Sequence, residues 1–250
     1  MLGSLPIVAI FLLWWVCTAG PSEERIISPT ILPSPVEVAQ SIPELINNRD
    51  LVHHIRASVQ RVGISFLLSL VIVIPVGILM GAFGSVSALF TPLSTASGYI
   101  PIATLVPLTM SWFGIDELQK TMFLAMAFGI YLLPLVVKAV ESVPEIYLRT
   151  SYTLGASRWD AIRHVLIPIA LPDLWHAMRL AFGVGWTYIV LAEVAVMVDG
   201  LGFLIQNSFR RGPREHIYLV ILVITLIAWA ADLAWQRLGR ILFPYRQERT

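Results

Sequence analysis

Apolar residues run along this chain in long blocks with few interruptions. Between Arg61 and Asp116 lie 54 consecutive residues without Asp, Glu, Lys, Arg or His. A helix needs only about 20 apolar residues to cross a bilayer, so this stretch predicts two crossings and a turn. Apolar length and charge punctuation together predict six spans, at roughly 5–19, 58–80, 89–113, 122–140, 177–198 and 217–238. Residues 81–85 form the turn after the second span, and 116–120 close the third. Between the first two spans, residues 21–51 carry prolines and charges, and Pro33-Ser34-Pro35 precedes a short helical pattern over 36–45.

Composition supports the same picture. Hydrophobic residues make up 57% of the chain and charged residues 13%, with a mean hydropathy of +0.77; soluble domains carry about 25% charged residues. The expected fold is all-α and polytopic, a single transmembrane domain over 1–250 with a core at 58–240 and an extramembrane loop at 141–176. A formal charge of +1 gives no electrostatic case for nucleic acid. The single Cys17 excludes an intrachain disulfide and a multi-cysteine metal site. No Lys or Arg precedes Pro6, and Trp14-Trp15-Val16 before Cys17 lack the small residue of a lipoprotein cleavage site. The first apolar block therefore reads as a retained span.

Basic residues do not fix the orientation by count: with six spans, nine fall on the side of 138–179 and the C-terminus and eight on the other. Arg237, Arg240, Arg246 and Arg249 lie within 13 residues just past the last span, which favours a cytoplasmic C-terminus. Pro75, Pro101, Pro107 and Pro134 fall within the expected spans. Each frees backbone groups that neighbours must satisfy. They serve either as packing kinks or as the breaks of a translocation pathway.

Residues 141–176 predict two short helices joined by a tight elbow. Ser142 caps a first helix over 144–154, with Pro144 early in it and Glu145 three residues after the cap. Gly155 stands where a left-handed cap is wanted, a conformation cheap only for glycine. Ser157 then caps a second helix, with Asp160 reaching back, and Pro168 and Pro172 limit its continuation near 166. Such a stiff, capped elbow suits a contact that transmits force, although a purely structural loop has the same pattern.

Thr153-Leu154-Gly155-Ala156-Ser157, then Val165-Leu166-Ile167-Pro168 and Leu171-Pro172, resemble the EAA loop of permease subunits in bacterial ABC importers. Residues 156–164 are the nine-residue gap of that motif. Arg149-Thr150-Ser151 stand where its leading Glu-Ala-Ala would fall. Further motifs resemble the sulfonate/taurine/nitrate/bicarbonate branch. They are Ile31-Leu32-Pro33-Ser34-Pro35, Tyr99-Ile100-Pro101-Ile102-Ala103, Val106-Pro107-Leu108, Trp112-Phe113-Gly114-Ile115-Asp116-Glu117, Gly183-Val184-Gly185-Trp186, Ala192-Glu193 and Gly200-Leu201-Gly202. The resemblance covers roughly residues 31–240.

This resemblance implies a type I importer permease in the bacterial inner membrane. Two permease copies would form the pathway for a small solute, with two cytoplasmic ATPase subunits and a periplasmic binding protein as partners. Glu145, Leu154, Gly155, Ala156, Ser157, Arg158, Pro168 and Pro172 would form the ATPase-coupling loop. ATP and magnesium would sit on the ATPase, and this chain would bind no cofactor and catalyse nothing. The residues agree on one point: neither Lys120 nor Lys138 follows a glycine, so no G-x-x-x-x-G-K phosphate cradle exists.

Candidate pathway or gate residues are Tyr99, Pro101, Pro107, Trp112, Trp186 and Glu193. Glu193 is an acid inside an expected span, costly by about 2.5–3.5 kcal/mol at mid-bilayer. It reads either as a gate or interface residue or as one bonded near the outer end of its helix. Trp112 and Trp186 suit the pathway or an interfacial belt. Asp232 is expected to pair with Arg237 or a partner helix. Arg210, Arg211 and Arg214 would meet a binding protein or water. A secondary transporter or channel is the alternative reading, but no internal repeat supports a secondary transporter. An intramembrane enzyme lacks both H-E-x-x-H and G-x-S-x-G.

Overall fold

The computed structural model describes residues 5–21, 25–196 and 198–245, and every regular element among them is helical. Two compact units share the chain, Met1–Ser58 with Met197–Ile227, and Val59–Val196 with Ala228–Thr250.

In the first unit, α1 (Leu5–Cys17) is apolar throughout, and α2 (Pro35–Gln40) and α3 (Ile42–Asn48) are short. α2 begins with a full capping box: Glu37 N donates to Ser34 Oγ at 3.2 Å, and Ser34 N donates to Glu37 Oε2 at 2.7 Å. Helix α4 (Leu51–Ala82) opens in this unit, and α11 (Leu201–Arg211) and the first half of α12 (Arg214–Leu242) complete it. Val38, Leu45, Leu51, Leu201, Leu204, Leu219 and Val220 form its buried core. One turn apart on α4, His54 Nδ1 and Ser58 Oγ each accept a bond from the start of α11, from Gly200 N and Leu201 N, both at 2.9 Å. Two of the donors a helix start leaves unpaired are thereby satisfied.

The second unit holds the rest of α4, then α5 (Gly84–Gly98), α6 (Leu105–Phe113), α7 (Glu117–Glu141), α8 (Glu145–Thr153), α9 (Arg158–Ala161) and α10 (Ile167–Ala195). Close approach of α4 to α7 depends on glycine. A Cβ on Gly81 would lie 2.6 Å from Val140 Cβ, and one on Gly77 would collide with Val136. Gly185 of α10 likewise lies under the Phe128 ring. Small residues at such crossings let membrane helices pack through van der Waals contact where no hydrophobic drive exists. Phe66, Phe182 and Trp235 fill the space beside them, with ring centroids 5.1–5.9 Å apart.

Four helical runs are long and apolar enough to cross a membrane: Leu51–Ala82, Glu117–Glu141, Arg158–Ala195 and Arg214–Leu242. The expected third span is instead a bent pair, α5 and α6, turning through 90° at a break before a 3-10 turn over Ile102–Thr104. Pro101 explains the break, because it offers no N–H and restrains the residue before it. The expected first span is represented by the 13 residues of α1, fewer than the roughly 20 a crossing needs. Pro75 and Pro134 do lie inside continuous helices. Pro107 falls in the first turn of α6, where a missing N–H leaves nothing unpaired.

Candidate functional site

The expected elbow is present. α8 ends in a Schellman motif: Ala156 N donates to Ser151 O and Gly155 N to Tyr152 O, each at 3.0 Å, with Gly155 at φ +87°. Ser157 caps α9, accepting from Asp160 N at 3.3 Å, and its hydroxyl also meets the Asp160 carboxylate. Glu145 and Arg149 pair across one exposed turn of α8 at 2.9 Å.

Two details of this loop differ from expectation. Ser142 ends α7 and donates to Ala139 O, while Pro144, without a side-chain cap, starts α8. The second helix does not stop near 166. It passes through a π-helical segment, Ile162–Leu166, into α10, so the run from Arg158 to Ala195 is unbroken. The wider π turn accommodates Pro168, which falls in the opening turn of α10, and Pro172 is carried inside that helix.

The loop surface is open and mixes charged with large apolar side chains. Leu154 is 83% and Trp159 64% exposed, and Ile146 and Tyr147 are exposed beside them. On the inner side, the Arg158 guanidinium lies 5.5 Å from the Phe83 ring centroid and the Trp159 ring 5.7 Å from it. Phe83 separates α4 from α5, so the elbow is in aromatic contact with the junction of those two helices.

At the far end of α7, about 37 Å from the loop for a helix of 25 residues, four charges meet. Arg61 of α4 donates from Nε and Nη2 to the two oxygens of Glu117, at 2.6 and 2.8 Å, and from Nη1 to Glu193 Oε1 of α10 at 2.7 Å. Lys120 Nζ donates to Glu117 Oε1 at 2.7 Å. Arg61, Lys120 and Glu193 are buried, and Glu117 reaches the surface. Two cations and two carboxylates balance formally, which is how charge persists in an apolar setting. Glu193 lies within one turn of the end of α10. Its partner Arg61 could not be read from sequence, because it lies 132 residues away on another helix.

Asp232 of α12 pairs with Arg179 of α10, through Nε at 2.6 Å and Nη2 at 3.0 Å, and Gln236 adds a third bond at 2.8 Å. Of the two expected pairings, the one with another helix is found; Arg237, five residues on and about 140° around the helix, faces elsewhere. The other pathway candidates are dispersed. Tyr99 is 82% exposed at the bend, Pro101 and Pro107 are exposed, and Trp112 lies exposed near the end of α6. Trp186 is buried beside Phe182 and faces no open surface of this chain.

The family described as binding-protein-dependent transport system inner membrane component matches residues 73–246. The chain belongs to this family. The permease is 30% identical over 251 residues to the taurine transport system permease protein TauC of Escherichia coli K12, covering 98% of this chain and 90% of that protein. It is 23% identical to the nitrate import permease protein NrtB of Synechocystis sp. PCC 6803, again over 98% and 90%. Among solved structures, the inward-facing MetNI methionine ABC transporter aligns with a TM-score of 0.69 at 20% identity, covering 76% of this chain and 95% of that one, a likeness of fold. The permease is thus a multi-pass inner-membrane translocation subunit of an ATP-driven importer and not itself an enzyme. An ATPase and a binding protein are its partners, and a second permease subunit completes the pathway.

Proposed function

We propose that this permease imports a small anion, of the sulfonate, taurine, nitrate or bicarbonate kind, delivered by a periplasmic binding protein. Two copies of the chain form the pathway above two ATPase subunits. ATP and magnesium are held by those subunits, and this chain binds neither. The loop around Gly155 is the ATPase dock, on the cytoplasmic side.

The observation that carries the docking assignment is the exposed apolar surface of Leu154 and Trp159 on a doubly capped elbow. Large apolar side chains on a stiff projection outside the spans favour burial against a partner. The Trp159 ring and the Arg158 guanidinium of the same elbow also touch Phe83. The anion class is supported by the relatives named for taurine and nitrate.

The test is uptake into proteoliposomes that hold the permease, its ATPase and its binding protein. ATP-driven accumulation of labelled taurine, butanesulfonate, nitrate or bicarbonate is expected. Import of none of the four, by a complex whose ATPase is active, would overturn the anion reading. Separately, the purified permease alone is expected to bind no nucleotide.

A further inference from the structure

We propose that the hydroxyls of Tyr131 and Tyr188 form a solute station on the translocation path, donating hydrogen bonds to the oxygens of an oxyanion. The oxyanion class rests on the proposed function above; the placement on an aqueous path does not.

Tyr131 of α7 and Tyr188 of α10 meet at 3.1 Å between hydroxyl oxygens, with rings stacked at 6.1 Å. Both lie inside apolar spans. From 122 to 137 of α7, Tyr131 alone carries a polar hydroxyl, amide or charged side chain, and from 180 to 192 of α10 only Trp186, Thr187 and Tyr188 carry a hydrogen-bonding group. Trp186 is buried, whereas Tyr131 is 40% exposed, Tyr188 is half-buried and Thr187, the residue before it in the chain, is exposed. Tyrosines facing lipid belong at the interfaces. Tyr131 instead lies about 21 Å along α7 from Glu117 and about 15 Å from Glu141, well inside the span. An open hydroxyl pair at that depth calls for water or a polar ligand.

Chemistry and space both suit a small anion. In a mutual hydroxyl pair one O–H is used and the other remains to be donated. An arriving oxyanion can replace the internal bond and accept a hydrogen bond from each hydroxyl. Neutral donors hold an anion without trapping it, which suits a station that must also release its ligand. One turn before Thr187, a Cβ on Gly183 would meet nothing within 4 Å, so that face of α10 is open too. Two turns along α7 toward the Gly155 loop, on the same face, Lys138 is exposed about 10 Å away and draws an anion onward.

The experiment uses the reconstituted importer with its ATPase and binding protein. In a Cys17→Ser background, Tyr131→Cys and Thr187→Cys are treated with methanethiosulfonate ethylsulfonate, an impermeant sulfonate. Labelling of both is expected, and failure of Tyr131→Cys to label, whatever Thr187→Cys does, would overturn the aqueous placement. In parallel, the Tyr131→Phe/Tyr188→Phe double variant keeps the ring stack and loses both hydroxyls. Its uptake of taurine and nitrate, measured on complexes matched for ATPase content, is expected to fall about tenfold, the scale of one hydrogen bond to a charged group. Unchanged uptake would overturn the station. If the unsubstituted complex imports none of the probe anions, the oxyanion class falls with the proposed function, while labelling still decides whether the pair lines the path.

Discussion

Arg61 and Glu193, 132 residues apart in sequence, meet at 2.7 Å with both side chains buried. The pair ties α4 to α10, and the fork from Arg61 to Glu117 ties both to the start of α7. Three helices are thereby clamped at the end remote from the elbow. Removing one member of a buried pair leaves an uncompensated charge and costs roughly 3–5 kcal/mol. Arg61→Met is therefore expected to lower the thermal unfolding midpoint of the purified permease sharply. Glu193→Gln keeps a hydrogen-bond acceptor and should lose less. In a double-mutant cycle, Arg61→Met with Glu193→Gln should be less destabilising than the sum of the singles. Strict additivity would mean that the two residues do not act as a pair.

At Gly155 the barrier to substitution is conformational alone. Its φ is +87°, yet a Cβ there would meet nothing within 4 Å. A β-branched residue in the left-handed region is strained by about 1–3 kcal/mol, whereas asparagine enters it readily. Gly155→Val is expected to remain membrane-inserted and to lose ATPase co-purification and ATP-driven uptake. Gly155→Asn should retain most of both. Equal behaviour of the two variants would show that the left-handed turn is not what the dock requires.

The elbow was legible in the sequence because its signals are local. Ser157, Gly155 and the helix starts around them act within a few residues of themselves. What the sequence misplaced depends on distance or on competition. Ser142 has the form of a helix start, but the end of α7 claims it first. Pro168 has the form of a stop, yet a π turn lets the helix absorb it. The partners of Glu193 and Asp232 come from other helices, and no spacing along the chain encodes them. Tyr99, Pro101 and the bend between α5 and α6 were visible only as a proline-bearing motif, because hydropathy does not distinguish a straight span from a folded one.

Gly81 tests how closely α4 and α7 must approach. A methyl group there would stand 2.6 Å from Val140 Cβ, so the backbone or the valine must move. Overpacking of this kind costs typically 1–3 kcal/mol. Gly81→Ala should reduce the thermal midpoint, and the compensating Gly81→Ala/Val140→Ala variant should recover part of the loss by vacating the clashing atoms. A double variant as unstable as the sum of its singles would show that the contact is not the cause.

Glu37 gives the α2 cap an acid limit. Its hydrogen bond from Arg25 is the largest influence, and with the Ser34 contacts it outweighs burial and lowers the carboxyl from 4.5 to about 2. A carboxylate whose folded value is depressed binds fewer protons folded than unfolded between those limits, so stability falls as pH falls. Its contribution is complete above about 4.5 and is lost as the solution is acidified toward about 2. Glu37→Gln can keep both bonds of the capping box but cannot pair ionically with Arg25. The permease should therefore be more stable than Glu37→Gln at neutral pH, with the difference shrinking through pH 4 to 3. Chemical denaturation of both proteins in detergent across that range is the check, and a constant difference would assign the cap's strength to hydrogen bonding without the ion pair.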